Sequence, residues 1–205
     1  MESLVPDQKQ SQSVGGCKGR EHSDPRVRRT RKLLEDAYRD LIGEKPYAEV
    51  SVLDITERAT VNRATFYAHY VDKQDLAVHV AKADLAASIY RMFSDKPQLS
   101  QENLVLFATA VFEFVDKIHK GCPGTQGDMH AAIAVGIQEE LYWMTYGWLG
   151  NKSNYAELFG ENSRETLATV ISSSLFGAAF RWVRLGKRAP VIAICTEISS
   201  ILVRG

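Results

Sequence analysis

Three cysteines in 205 residues, Cys17, Cys122 and Cys195, are too few and too odd in number for a disulfide framework. The first ten residues, MESLVPDQKQ, lack the apolar stretch of a secretory leader, so a reduced, cytoplasmic setting is expected. Asn151-Lys152-Ser153 fits a glycosylation sequon, which has no consequence without secretion. No apolar run reaches membrane-spanning length, so no membrane partner is expected. Charge of one sign is also missing: 25 Lys and Arg face 25 Asp and Glu. That balance excludes a uniformly basic coat for nucleic acid but leaves room for a local basic patch.

Signatures of catalysis are lacking too. There is no nucleophile elbow and no zinc-protease helix. Gly121 to Gly127 is glycine-rich but lacks the lysine-hydroxyl ending of a phosphate loop. His119 and Cys122 have a possible ligand spacing, with His130 beyond, but a second pair is missing, so no metal and no cofactor are expected. Nowhere does period-two alternation persist, and no long repeat occurs. The chain reads as all-α.

Residues 1 to about 23 are rich in Ser, Gln, Gly and Lys and hold few large apolar side chains, the composition of a mobile arm. Between Lys18 and Lys32 the basic residues Lys18, Arg20, Arg26, Arg28, Arg29, Arg31 and Lys32 outnumber Glu21 and Asp24. Such a run is either a solvated helix start or a phosphate-neutralising arm. Asp24-Pro25 caps a helix whose apolar positions, Val27, Leu34, Tyr38, Leu41 and Ile42, recur at helical spacing until Gly43 and Pro46.

Two short helices follow. Ser51-Val52-Leu53-Asp54 reads as a capping box opening a helix to about Arg58. Thr60 and Val61 make a tight turn, and a second short helix spans Asn62 to about Tyr70. Helices this short are marginal alone, so their apolar sides must pack on the first helix. Phe66 and Tyr70, four apart, point inward; Ala64, Thr65, Tyr67 and Ala68 then point outward. The outward face has small residues, a hydroxyl, a phenol and no acid. It suits a helix-turn-helix, in which the second helix enters the major groove of DNA. Asp72-Lys73-Gln74-Asp75 caps a longer helix to about Phe93. Further helices are expected from Ser100 to about Lys120, from about Asp128 to Leu149, from Asn162-Ser163 to about Leu185, and from Pro190 to Val203.

The stretch SVLDITERATVNRATFYAHYVDKQDL resembles the DNA-binding region of the tetracycline-repressor (TetR/AcrR) family of bacterial transcription regulators. The resemblance covers about residues 26 to 76 and includes Thr65-Phe66-Tyr67, His69-Tyr70 and Lys73. It implies a three-helix DNA-binding domain at 24–71 and a larger helical domain at 72–205 for effector binding and dimerisation. It also implies roles. Ser51 would meet a phosphate, Arg63 would read a guanine, and Ala64 and Thr65 would approach base edges. Tyr67, His69 and Lys73 would hold phosphates, Arg28 and Arg29 would extend the backbone contacts, and Asn62 and Ala68 complete the DNA-facing set. Two positions depart from the family's pattern: Thr60 stands where glycine is usual, and Thr56 where alanine is frequent. A β-branched residue at a turn needing positive φ is strained, so the turn either adopts another state or carries a cost. Thr56 needs a hydroxyl partner such as a carbonyl one turn back.

A single helix-turn-helix reads few base pairs, so a homodimer on a double-stranded operator is expected. Leu167, Ile171, Leu175, Ala178 and Trp182 share one face, and Val191, Ile194, Ile198 and Ile201 another. Paired with a second copy these stripes make a four-helix interface; alternatively they fill the monomer core. Phe107, Phe112, Phe114, Tyr142, Trp143, Tyr146 and Trp148 suggest an apolar effector pocket, although each can equally be a core aromatic. Most of the pattern thus points to a repressor released from DNA by a small molecule. The rival readings are a small-molecule-binding helical enzyme and an interaction protein without DNA binding.

Overall fold

The computed structural model describes residues 24–93, 99–121, 128–150 and 152–204; the expected arm at 1–23, with Cys17, and Cys122 lie outside these residues. The described residues are helical, with no strand among them. The order is α1 (Pro25–Glu44), a 3-10 turn (Tyr47–Glu49), α2 (Val52–Arg58), α3 (Arg63–Tyr67), α4 (Lys73–Met92) and α5 (Gln101–Gly121). Then come α6 (Asp128–Leu149), α7 (Lys152–Phe159), α8 (Arg164–Arg184) and α9 (Val191–Arg204). Helix α7 lies between Leu149 and Asn162, where no helix is expected, and α3 is shorter than expected at both ends.

The starts follow side-chain chemistry. Asp24 accepts from the Arg26 N–H, Asp72 from the Asp75 N–H and Ser163 from the Thr166 N–H, each satisfying a donor the helix itself leaves unpaired. Ser51 and Asp54 form the full reciprocal capping box.

The end of α2 is equally specific. The Thr60 N–H donates to Glu57 O at 3.1 Å and the Val61 N–H to Thr56 O at 3.0 Å, the paired bonds of a Schellman motif. That motif requires a left-handed residue between helix and turn, and Thr60 takes φ 56°. The same device closes α8, where Gly186 N–H donates to Val183 O and Lys187 N–H to Trp182 O, and there glycine fills the left-handed position at φ 74°. Thr60 therefore carries the strain that Gly186 avoids. Thr56, fully inside, donates its hydroxyl to Leu53 O at 3.0 Å.

Helix α1 packs on α2 and α2 on α3, while α4 to α9 form a bundle in which α6 lies against α4 and α8, and α5 against α8 and α9. Leu34, Leu41, Ile55, Phe66 and Tyr70 fill the first group and are continuous with the core of the bundle. Helix α4 belongs to both. On one flank the Arg39 guanidinium of α1 donates to Asp84 Oδ1 through Nε at 3.1 Å and Nη2 at 2.9 Å. On the other, Lys82 Nζ meets Glu139 Oε2 at 2.9 Å. Beside that pair Gly136 of α6 lets the helices touch: a Cβ there would lie 2.6 Å from Val78 Cγ1.

Three expectations are corrected by packing. Leu167, Ile171 and Leu175 are buried within the chain's own core, on α8 where it meets α5 and α6, so they are not free to face a second copy. Ala178, Trp182, Val191, Ile194 and Ile198 are half-buried against the same core. The large apolar residues that α8 and α9 leave exposed are Val170, Phe180, Ile192 and Ile201. Second, α8 is in fact long and apolar enough, by length and composition, to cross a membrane; its inward side chains are spent on core packing. Third, Phe107 and Phe112 are core residues, and Trp148 packs on Phe107 with ring centroids 5.3 Å apart, so these aromatics fill space, whereas Phe114, though buried, borders a surface groove.

Candidate nucleic-acid interface

Helix α3 is held by one buried ring. Phe66 is wholly enclosed, in edge contact with Tyr67, and Tyr70 packs beneath it with its hydroxyl donated to Glu35 Oε1 of α1 at 3.1 Å. The His79 imidazole of α4 reaches the same carboxylate oxygen at 3.3 Å. The Glu35 carboxyl is held below the usual range, first by the His79 hydrogen bond, against the opposing effect of burial. Burial and the adjacent Glu35 push the Tyr70 phenol up, so it stays a neutral donor.

With Phe66 and Tyr70 inward, Arg63, Ala64, Tyr67 and Ala68 are exposed on the opposite side. Arg63 Nη2 donates to the Tyr67 hydroxyl, and the guanidinium carbon lies 5.5 Å from the ring centroid. Thr65 is half-buried, and its hydroxyl donates to Asn62 Oδ1 at 2.9 Å, the same oxygen that accepts the Thr65 N–H at 2.7 Å. Asn62 thus works as the N-cap of α3.

His69 is half-buried, and its pKa is lowered by burial and then by Arg31, which leaves a neutral imidazole near pH 7. Arg28 and Arg29 are exposed on the first turns of α1. The outward face of α3 and these arginines have open access to solvent.

Two residues assigned to phosphates are otherwise engaged. Lys73 Nζ donates to Tyr47 O at 3.1 Å and Val50 O at 2.7 Å, and lies 4.4 Å from the centre of the Tyr47 ring. Burial lowers its pKa. It ties the start of α4 to the turn before α2. Ser51 gives its hydroxyl proton to Asp54 Oδ2 at 2.8 Å, while its N–H donates to the same oxygen at 2.8 Å. Lys45 Nζ joins them at 2.9 Å. Asp54 thus accepts from the side chains of both Ser51 and Lys45. No cluster of potential metal ligands occurs among the described residues.

Residues 34–80 match the family model described as bacterial regulatory proteins, tetR family. Over 54 residues the chain is 46% identical to the uncharacterized HTH-type transcriptional regulator YxbF of Bacillus subtilis, covering 26% of this chain and 14% of that protein. Over 60 residues it is 32% identical to the HTH-type dhaKLM operon transcriptional activator DhaS of Lactococcus lactis, covering 29% of this chain and 32% of the relative. The matched stretch therefore spans less than a third of either relative. At the level of fold, the transcriptional regulator FadR of Bacillus subtilis, solved in complex with stearoyl-CoA, superposes with a TM-score of 0.55 at 18% identity. That likeness covers 85% of this chain and 98% of the other.

Proposed function

We propose that this protein is a transcriptional regulator of the tetR family that binds operator DNA as a homodimer and is released by a small-molecule effector, on the match of residues 34–80 to that family's model and the likeness of the fold to the regulator FadR. The observation that carries the reading is the exposed, acid-free face of α3, Arg63, Ala64, Tyr67 and Ala68, set opposite the enclosed Phe66. Small side chains allow close backbone approach, and an arginine reads guanine through two parallel hydrogen bonds.

In this reading residues 24–71 are the reading head and 72–205 the body. Arg63, Ala64 and Thr65 approach base edges, while Arg28, Arg29, Tyr67, Ala68 and His69 lie along the backbone. His69 serves as a neutral hydrogen-bond donor. Ser51, Asn62 and Lys73 shape the motif from within. The contact between copies runs through Val170 and Phe180 of α8 and Ile192 and Ile201 of α9, exposed apolar side chains on two adjacent helices. An effector that prefers the body conformation with wrongly spaced heads lowers DNA affinity by its differential binding energy. The chain works in the cytoplasm, where its operator is.

The test is a mobility shift on DNA flanking the protein's own coding region, repeated at raised salt, with sedimentation of the wild type and Phe180→Glu. A retarded two-fold complex on a palindrome with half-sites about one helical turn apart supports the reading. Absence of sequence preference at any salt, or a Phe180→Glu variant that stays dimeric, rejects the corresponding part.

A further inference from the structure

Between the last turns of α4 and the second half of α5 lies a groove of about 340 Å³. Its apolar residues are Ala110 and Phe114, both buried, and Met92, which is exposed. Its charged residues are Arg91, Lys117 and Glu113. Arg91 donates Nε to Ala87 O at 3.1 Å and Nη2 to Ser88 Oγ at 3.3 Å, both on its own helix. These bonds fix the guanidinium plane yet give it no counter-ion among the described residues. Three of its five N–H donors stay open. Lys117, exposed on α5, likewise has no carboxylate partner among the described residues.

We propose that this groove binds a monocarboxylate with a short apolar body, the carboxylate taken by Arg91 and Lys117 and the apolar part resting on Met92, Ala110 and Phe114. Two cations against one carboxylate beside an apolar wall call for an anion that also has apolar surface to bury. A pre-oriented guanidinium matches a carboxylate in two parallel bonds. Glu113 brings the net charge of the lining to +1, which a monoanion neutralises, whereas a dianionic phosphate would leave an excess negative charge beside Glu113. The volume lies at the small end of ligand sites, about 300–1,000 Å³, so the occupant is a small acid, not a large cofactor. The groove has one wall on α4, the helix shared with the reading head, so occupancy fixes the position of α4 against α5. That last consequence rests on the effector-released reading; the binding itself does not.

The experiment is calorimetric titration of the full chain, without DNA, by sodium octanoate, octan-1-ol and octyl phosphate, on wild type, Arg91→Gln, Lys117→Gln and Glu113→Gln. All three substitutions are at surface positions, and circular dichroism checks their folding. Octanoate is expected to bind once per chain, about fivefold or more weakly in Arg91→Gln and Lys117→Gln, and about threefold more tightly in Glu113→Gln. Octan-1-ol is expected to bind at least about tenfold more weakly than octanoate. Absence of saturable octanoate binding, equal affinity for the alcohol, or indifference to both cation substitutions would overturn the proposal. Tighter binding of octyl phosphate would overturn the carboxylate assignment. A parallel mobility shift with octanoate separates the two claims: binding that leaves operator affinity unchanged rejects effector release through this groove and keeps the site.

Discussion

Arg63 and Tyr67 stand one helical turn apart on the exposed side of α3, and the Arg63 Nη2 donates to the Tyr67 hydroxyl at 3.1 Å. The phenol holds the guanidinium in line with the helix before any DNA is present. Removing only the hydroxyl, in Tyr67→Phe, frees Arg63 while keeping the ring. We expect this variant to lose discrimination between the operator and single-base variants, whereas Arg63→Ala relaxes it by about 1–3 kcal/mol. The two changes together should cost less than their sum, since both act through one guanidinium. Fluorescence anisotropy on a panel of operator variants measures all three. A purely additive pair would show that the hydroxyl acts on DNA independently.

Thr60 offers a stability prediction. Its φ of 56° is imposed by the Schellman bonds at the end of α2, and a β-branched side chain is strained there. Thr60→Gly relieves the strain and loses some unfolded-state restriction, for a net gain of about 0.5–1 kcal/mol. Urea denaturation reads this directly. A loss of stability would mean that the threonine side chain contributes contacts that outweigh its backbone cost.

Acid should act through Asp54. Its carboxyl is held down from 3.8 to about 2, first by the Ser51 N–H, then by Lys45 and the Ser51 hydroxyl. A folded-state value below the unfolded one means stability that is fully present above the unfolded value and is lost as pH falls through the folded one. The difference in Tm between wild type and Asp54→Asn should therefore hold near neutrality and shrink from about pH 4 down to about pH 2. A difference that is constant over that range would remove Asp54 from the acid response.

Gly136 tests how closely α4 and α6 are fitted. A methyl group there would meet Val78 Cγ1 at 2.6 Å, so Gly136→Ala must shift a side chain or the helix pair. We expect a cost of about 1–3 kcal/mol and a weaker operator complex, because the displaced helix is the one that reaches the reading head. Pairing it with Val78→Ala should restore much of both, since the clash then has no partner atom. Failure of that rescue would place the damage elsewhere.

The residues that sequence alone located best are those whose partners are local. The capping box of Ser51 and Asp54, the Asp72 cap and the hydroxyl of Thr56 all bond within four residues, so their spacing is enough to find them. The strain at Thr60 was legible for the same reason. The tie from Lys73 to the carbonyls of Tyr47 and Val50 is not legible, because these acceptors are distant in sequence and leave no side-chain signature. The capping pattern at Ser51 shows its bond to Asp54 but not that Lys45, nine residues before Asp54, joins them. Helix α8 is apolar on more than one side, with Leu167, Ile171 and Leu175 inward and Val170 and Phe180 outward. Periodicity shows that such a helix has stripes without saying which one meets the core. Helix α7 is not legible because Lys152–Phe159 is short and begins among loop-forming residues.

Asp84 and Lys82 sit two positions apart on α4, yet one is moored to Arg39 of α1 and the other to Glu139 of α6. A rod pinned to different neighbours at almost the same height has little freedom to spin. Any displacement that parts α4 from either neighbour must therefore break an ion pair at that waist.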